Sequence, residues 1–224
     1  MAKLLKSSKS SKRYREIVTT NSRFYDTFLK NDFRASEDYV VFLDSIEPYH
    51  GDQLVYGYAP PDRKIYYPQI NHVLDFLSYK LGKEVVICLH PKYDDRNLKE
   101  DWGTKKAFKF RTDEFIARAA LVTFHSTSSV NSAFLYNKKI VQILNKEFNP
   151  LTRHNCEVMQ KVFGFTTLEM YNTTQKEVEE ALQKVKVDGS EYQHFIDNYL
   201  IASGQPGVTS AEQVVWKMKE KYLK

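Results

Sequence analysis

The feature that most constrains this chain is a recurring unit. A short, unbroken apolar run rich in β-branched residues is followed by a segment whose apolar residues fall at helical spacing. Asp38-Tyr-Val-Val-Phe-Leu-Asp44, Glu84-Val-Val-Ile-Cys-Leu-His90, Ala120-Leu-Val-Thr-Phe124 and Lys139-Ile-Val-Gln-Ile-Leu144 are four such runs. A strand with one face in water alternates polar and apolar residues; these do not, so both faces must be covered. Between the first two, Ile70, Val73, Leu74, Leu77 and Leu81 keep helical spacing over 64–81, and Gly82 supplies the stop. Helices are also expected over 113–118, from Ser128 or Ser129 to Tyr136, over 153–162, around Val178–Val185 and over 211–223, with a further short strand at 165–170. Residues 46–63, with three prolines and two glycines, read as a loop. Strands alternating with helices imply β-α-β crossovers and a mostly parallel sheet between helices. The expected fold is α/β, a Rossmann-like domain with a helical C-terminal tail.

Charge divides the chain differently. The formal net charge is +5, but Lys3, Lys6, Lys9, Lys12, Arg13 and Arg15 precede the first acidic residue. Removing those six leaves 27 basic residues of 33 against 28 acidic ones, so the body is close to neutral. That argues against a nucleic-acid partner, which wants a basic stripe on the folded domain. The arm reads as a solvated linker, or as a peripheral contact with anionic lipid. Residues 1–35 are therefore expected to be a basic arm and interdomain-type connector, and 36–224 the sheet domain. No apolar run reaches the ~18 residues of a membrane span, and the N-terminus lacks the apolar core of a secretory signal. Two cysteines are too few for a disulfide framework. The expected setting is the cytoplasm, with the inner face of the cell membrane as the place a lipid-touching arm would take it.

In an open parallel sheet, ligands bind beyond the carboxyl ends of the strands. The residues just after the four runs are Asp44-Ser45, His90-Pro91-Lys92, His125-Ser126-Thr127-Ser128-Ser129 and Asn145-Lys146-Glu147. The third cluster leads from a buried strand into a helix start, where free N–H groups and small hydroxyls suit a phosphate; its bland reading is a helix cap with loop filler. Pro91 ends the second strand and leaves His90 projecting from the sheet edge. There an imidazole can donate to a phosphate oxygen or act as an acid toward a phosphate leaving group, and Lys92 adds a cation. Asp44, Glu47 and Asp52 are candidates for a general base or for contacts to a hydroxyl-rich ligand, and Glu147 for a sugar or base contact. The chain lacks a phosphate-binding G-x-x-x-x-G-K-[ST] loop, a G-x-G-x-x-G fingerprint and a G-x-S-x-G elbow. Its six histidines show no zinc-ligand spacing, and no metal site is expected.

The succession V-V-F-L-D, V-V-I-C-L-H-P-K, A-L-V-T-F-H-S-T-S-S-V-N-S-A and K-I-V-Q-I-L resembles the nucleotide-binding C-terminal half of bacterial GT-B glycosyltransferases. It is most similar to the sialyl-, polysialyl- and Kdo-transferase type that builds capsule and lipopolysaccharide, over roughly residues 36–145. In that group a His-Pro pair and a downstream serine motif hold the phosphate of a CMP-sugar. The resemblance places His90-Pro91, Ser126, Ser128 and Ser129 at the nucleotide phosphate; with the reading of the strand ends, His90 is the expected catalytic group and Lys92, His125, Ser126, Thr127, Ser128 and Ser129 the expected phosphate site. It also implies a nucleotide sugar as substrate, no cofactor, and a glycan as acceptor. A GT-B enzyme has an N-terminal acceptor domain, for which this length leaves no room, so the chain is expected to be the donor-binding half of a larger transferase, of a split one whose partner supplies that domain, or a truncated relative. Two alternatives stay open: a non-catalytic nucleotide- or phosphate-binding module, and a transferase moving a polyol phosphate from a CDP-activated donor.

Overall fold

The structure, a computed structural model, describes residues 18–202 and 206–222; the basic arm lies outside the described residues. The strands are β1 Tyr39–Leu43, β2 Glu84–Cys88, β3 Lys106–Phe108, β4 Ala119–Phe124, β5 Ile140–Leu144 and β6 Thr166–Glu169. The helices are α1 Arg23–Lys30, α2 Gly51–Val55, α3 Arg63–Leu81, α4 Leu98–Trp102, α5 Thr112–Ala117, α6 Val130–Leu135, α7 Pro150–Phe163, α8 Gln175–Lys184, α9 Gly189–Phe195 and α10 Ser210–Tyr222. By packing, the chain divides into a unit spanning Phe33–Gly189 and a second built from the segments on either side of it.

The larger unit holds one sheet in the order β3-β2-β1-β4-β5-β6, parallel throughout. The chain builds outward from β1 to β2 and β3, then crosses to β4 and builds the other way. Such a doubly wound sheet is covered on both faces, which is why Val40, Val41 and Phe42 are fully buried. α3 lays Tyr66, Tyr67, Ile70, Val73, Leu74 and Leu77 into this core. Each such side chain contributes about 1.5–3 kcal/mol of burial free energy. Asp62 caps its start, accepting from Lys64 N at 2.8 Å, and Gly82 ends it at φ +61°, a left-handed value that glycine adopts without penalty. Trp102 closes the core beside Phe42 and Tyr67, with ring centroids 5.7 and 5.0 Å away.

The four long runs are strands, and the segment near 165–170 is β6. One expectation needs correction, and one strand was not expected. The 46–63 loop contains a 3-10 turn, Glu47–Tyr49, and the short helix α2; Pro48 opens the turn and Gly51 the helix, so residues that punctuate loops here start helical turns. β3 carried no signal because K-A-F is three residues long and sits at the sheet edge, partly in water. Both cysteines are free and buried.

The second unit is held by Asn21. Its N–H donates to Gln213 Oε1 at 2.9 Å, its amide donates to the Val208 carbonyl, and its Oδ1 accepts from Ala202 N at 2.6 Å. Asp26 accepts from Ser210 N at 2.8 Å and Tyr25 OH from Gly207 N at 2.9 Å. The expected C-terminal helix is α10. No helix among the described residues is long and apolar enough to cross a membrane.

Candidate functional site

Leu43 at the end of β1 pairs with Cys88 of β2 and Phe124 of β4, so the loops after these three strands leave the sheet at one level. Asp44 still bonds through its N–H to the Cys88 carbonyl at 3.0 Å, and its carboxyl turns inward to accept from Ile46 N at 2.9 Å. Ile46 has φ +50°, a left-handed conformation that is a true outlier for a β-branched residue. Strain of this kind persists where surrounding contacts over-determine it, often at functional sites.

The sharp turn buries Glu47 to 4% exposure. Its carboxyl accepts from Ser45 Oγ at 3.1 Å, Gln53 Nε2 at 2.8 Å and Thr152 Oγ1 at 3.1 Å. Thr152 lies in the first turn of α7, whose cap Asn149 accepts from Thr152 N at 3.0 Å. The turn is clamped from the other side by Asp101, which accepts from Tyr49 OH at 3.1 Å, Tyr93 OH at 2.6 Å and Arg63 Nη2 at 2.7 Å. Beside Glu47 lies a cleft of about 340 Å³, lined by Ser45, Glu47, His50 and Gln53 from the β1 loop, Ser126 from the β4 loop and Thr152 from α7. It opens where the strand order reverses, the place where doubly wound sheets bind ligands.

Burial pushes the Asp44 carboxyl up to about 7, against the pull of the Ile46 and His90 N–H groups, and Glu47's charge pushes the same way. Burial likewise pushes Glu47 up to about 7, against its three hydrogen-bond donors. The N-terminus of α7 at Thr152 favours the ionised form. Two buried carboxyls poised near neutrality, of which Glu47 lines the cleft, can hold or accept a proton in that range. Among the described residues no group of three or more His, Cys, Asp or Glu is disposed to hold a metal ion.

His90 and Ser126–Ser129 stand at the same edge of the sheet, after β2 and β4 on either side of β1. His90 Nδ1 accepts from Lys92 N at 3.1 Å, which leaves the proton of the neutral ring on Nε2, and its ring lies 6.1 Å from that of His50. Partial burial, then His50 and Lys92, hold its pKa below the usual histidine value. The Lys92 side chain is exposed. Ser126 reaches the cleft wall. Thr127 Oγ1 accepts from Ser129 N at 3.3 Å, while Ser129, at the α6 cap, makes no side-chain capping bond. Glu147 is exposed on the turn after β5, its N–H bonded to Asn145 Oδ1.

His125 is elsewhere. It is fully buried, Nδ1 on the Ile143 carbonyl and Nε2 2.9 Å from Tyr66 OH, so the ring is a neutral strut beneath the loop. Burial takes its pKa down to about 4. With both nitrogens engaged, it cannot also hold a phosphate as the sequence led us to expect. Gln53 and Thr152 were not legible as site residues: one sits in a segment that reads as loop, the other inside a helix, and only the fold brings both to Glu47.

No family model matches the chain, and no curated protein matches it. Among solved structures it is similar to the glycotransferase of kitacinnamycin, at 11% identity and TM-score 0.39, covering 81% of this chain and 40% of that one. It is similar to the Methanocaldococcus jannaschii UDP-GlcNAc 2-epimerase in complex with UDP-GlcNAc and UDP, at 12% and 0.44, covering 86% and 56%. The wall teichoic acid polymerase TagF is similar at 10% and 0.42, covering 90% and 48%. The chain thus spans 40 to 56% of the length of these structures.

Proposed function

We propose that the chain is the donor-binding half of a GT-B-type glycosyltransferase, moving a sugar from a nucleotide sugar to a surface polysaccharide, with a CMP-sugar favoured by the resemblance to the sialyl- and Kdo-transferase type. One observation carries this assignment. At the carboxyl edge of the sheet, His90 and the Ser126–Ser129 turn stand on either side of β1, and Ser126 lines a cleft together with the buried Glu47. In this scheme the phosphate rests on the serine turn. His90 donates from Nε2 to the oxygen that gains charge as the nucleotide leaves, with Lys92 adding positive field from the rim. Glu47 and Asp44 face the transferred group rather than the phosphate. The acceptor domain is supplied by a partner, and the basic arm contacts anionic lipid.

The test is calorimetry with CMP, CDP, UMP and UDP, with and without EDTA. The expected result is binding of a cytidine nucleotide that EDTA leaves unchanged, because protein donors already compensate the phosphate. Ser128→Ala and Ser129→Ala should each weaken it by about 0.5–2 kcal/mol. In an enzyme completed by its acceptor domain, His90→Ala should lower turnover more than affinity. Strict Mg²⁺ dependence, or no nucleotide binding at millimolar concentration, would overturn the assignment.

A further inference from the structure

The amphipathic pattern of α10 is inverted. A helix of a folded unit lays its apolar stripe on the core and leaves its polar stripe in water. In α10 the apolar stripe is Ala211, Val214, Val215 and Met218, at positions i, i+3, i+4 and i+7. All four are exposed, the valines at 38 and 46% and Met218 at 56%. The opposite stripe, at the same spacing, is Gln213, Trp216, Lys217 and Glu220. Gln213 is 1% exposed and is the one buried residue among those described in this helix. Its Oε1 accepts from Asn21 N at 2.9 Å, so the helix is anchored through a polar side chain and presents hydrocarbon outward. Glu212 fixes the start, accepting from Thr209 N at 2.7 Å and Thr209 Oγ1 at 2.8 Å.

Charge identifies what covers the stripe. Lys219, one turn after Val215, and Lys221, three residues after Met218, border it on its two sides. The unit that carries α10, residues 1–32 and 190–224, holds 12 basic and 7 acidic residues, whereas Phe33–Gly189 holds 21 of each. The formal charge of +5 therefore belongs entirely to this unit. Two copies meeting stripe to stripe would bring two such charges together, which opposes a dimer. An anionic partner is favoured instead. Six of the 12 basic residues precede Glu16 with no acidic residue among them, and the chain that follows is tied by Asn21 to the first turn of α10. A run of this kind sets no pairing geometry and suits a continuous negative surface. An apolar stripe between lysines is the pattern of a helix lying in a bilayer interface, where hydrocarbon enters the acyl boundary and the ammonium groups reach the headgroups.

We propose that α10 lies in the surface of an anionic bilayer, with Ala211, Val214, Val215 and Met218 toward the acyl chains and Lys219 and Lys221 among the headgroups. The inference deepens the lipid contact proposed above for the basic arm, adding an apolar component from the other end of the chain. It does not depend on the donor-binding assignment. An arm acting alone would be released by salt, whereas an inserted stripe keeps part of the binding when charges are screened.

Vesicle sedimentation of the full chain tests this, with phosphatidylcholine vesicles that contain about a quarter phosphatidylglycerol and with pure phosphatidylcholine. The chain should pellet with the anionic vesicles and stay in solution with the neutral ones. Val215→Gln combined with Met218→Gln, two exposed positions given a good helix former, should lower the partition coefficient about tenfold and leave urea unfolding unchanged. Hydrogen exchange on the unaltered chain gives a second reading: amides of residues 210–222 should gain protection when anionic vesicles are added. Binding undiminished by the double substitution, or no added protection over 210–222 in the bound chain, overturns the inference and leaves the arm's contact standing. No binding to anionic vesicles overturns both. A dimer in sedimentation equilibrium that the double substitution abolishes would assign the stripe to a second copy and overturn the inference as well. Nucleotide binding is judged separately by the calorimetry above.

Discussion

Asp44 and Glu47 flank a left-handed isoleucine, and both are buried with only uncharged donors around them. Their carboxyls stand at about 7 instead of 3.8 and 4.5, chiefly through burial. An acid raised in this way keeps its proton in the folded chain over a range in which the unfolded chain has already lost it. The folded state binds more protons there, so stability is full below the ordinary carboxyl values and falls as pH rises toward about 7. Urea unfolding between about pH 4.5 and 7 should show that decline, and Glu47→Gln should reduce its slope by about one proton. A slope unchanged by the substitution would mean that Glu47 is ionised throughout. At this scale the sequence was a poor guide. Glu47 stood in the sequence as one of three equivalent candidate loop carboxylates, and what distinguishes it is burial with Gln53 and Thr152 bonded to it, the latter 105 positions away.

Between elements, His125 is the clearest link. It joins the end of β4 to β5 through the Ile143 carbonyl and to α3 through Tyr66, and its own carbonyl accepts from Gln142 Nε2 at 2.9 Å. His125→Leu should destabilise the chain by about 3 kcal/mol, because it strands two buried polar groups. Nucleotide affinity per folded molecule should stay as it was. Urea unfolding and calorimetry on one preparation check both halves, and a loss of affinity at full folding would return His125 to the phosphate site. The elements themselves were largely legible. Runs such as V-V-F-L admit few readings once both faces must be buried, and Gly82 and Gly164 end helices at left-handed φ as glycines do. β3 and α2 escaped because three edge residues and five loop residues carry too little periodicity to register. The position of His125 directly after a strand was legible, but the direction of its side chain was not, since inward and outward neighbours alternate by one residue.

For the whole molecule, the sheet unit Phe33–Gly189 encloses its own core, from Val40 and Phe42 to Leu168 and Val178. A chain trimmed to that unit should unfold cooperatively in urea and bind the same nucleotides as the full chain, since a domain with its own core can fold alone. A trimmed chain without a cooperative transition would show that the flanking segments complete the core.

The parallel pairing of β1 has a consequence for how this molecule is made. Tyr39–Leu43 leaves the ribosome first among the described strands, yet its two neighbours are residues 84–88 and 119–124. No hairpin can shelter it meanwhile, because parallel strands need a crossover between them. Until Phe124 has been synthesised, the most apolar strand of the sheet lacks at least one neighbour, and its unpaired N–H and C=O groups can template association with another nascent chain. Of the four strands that end with a neighbour on each side, the one at the heart of the finished sheet is thus left longest with an open flank during synthesis.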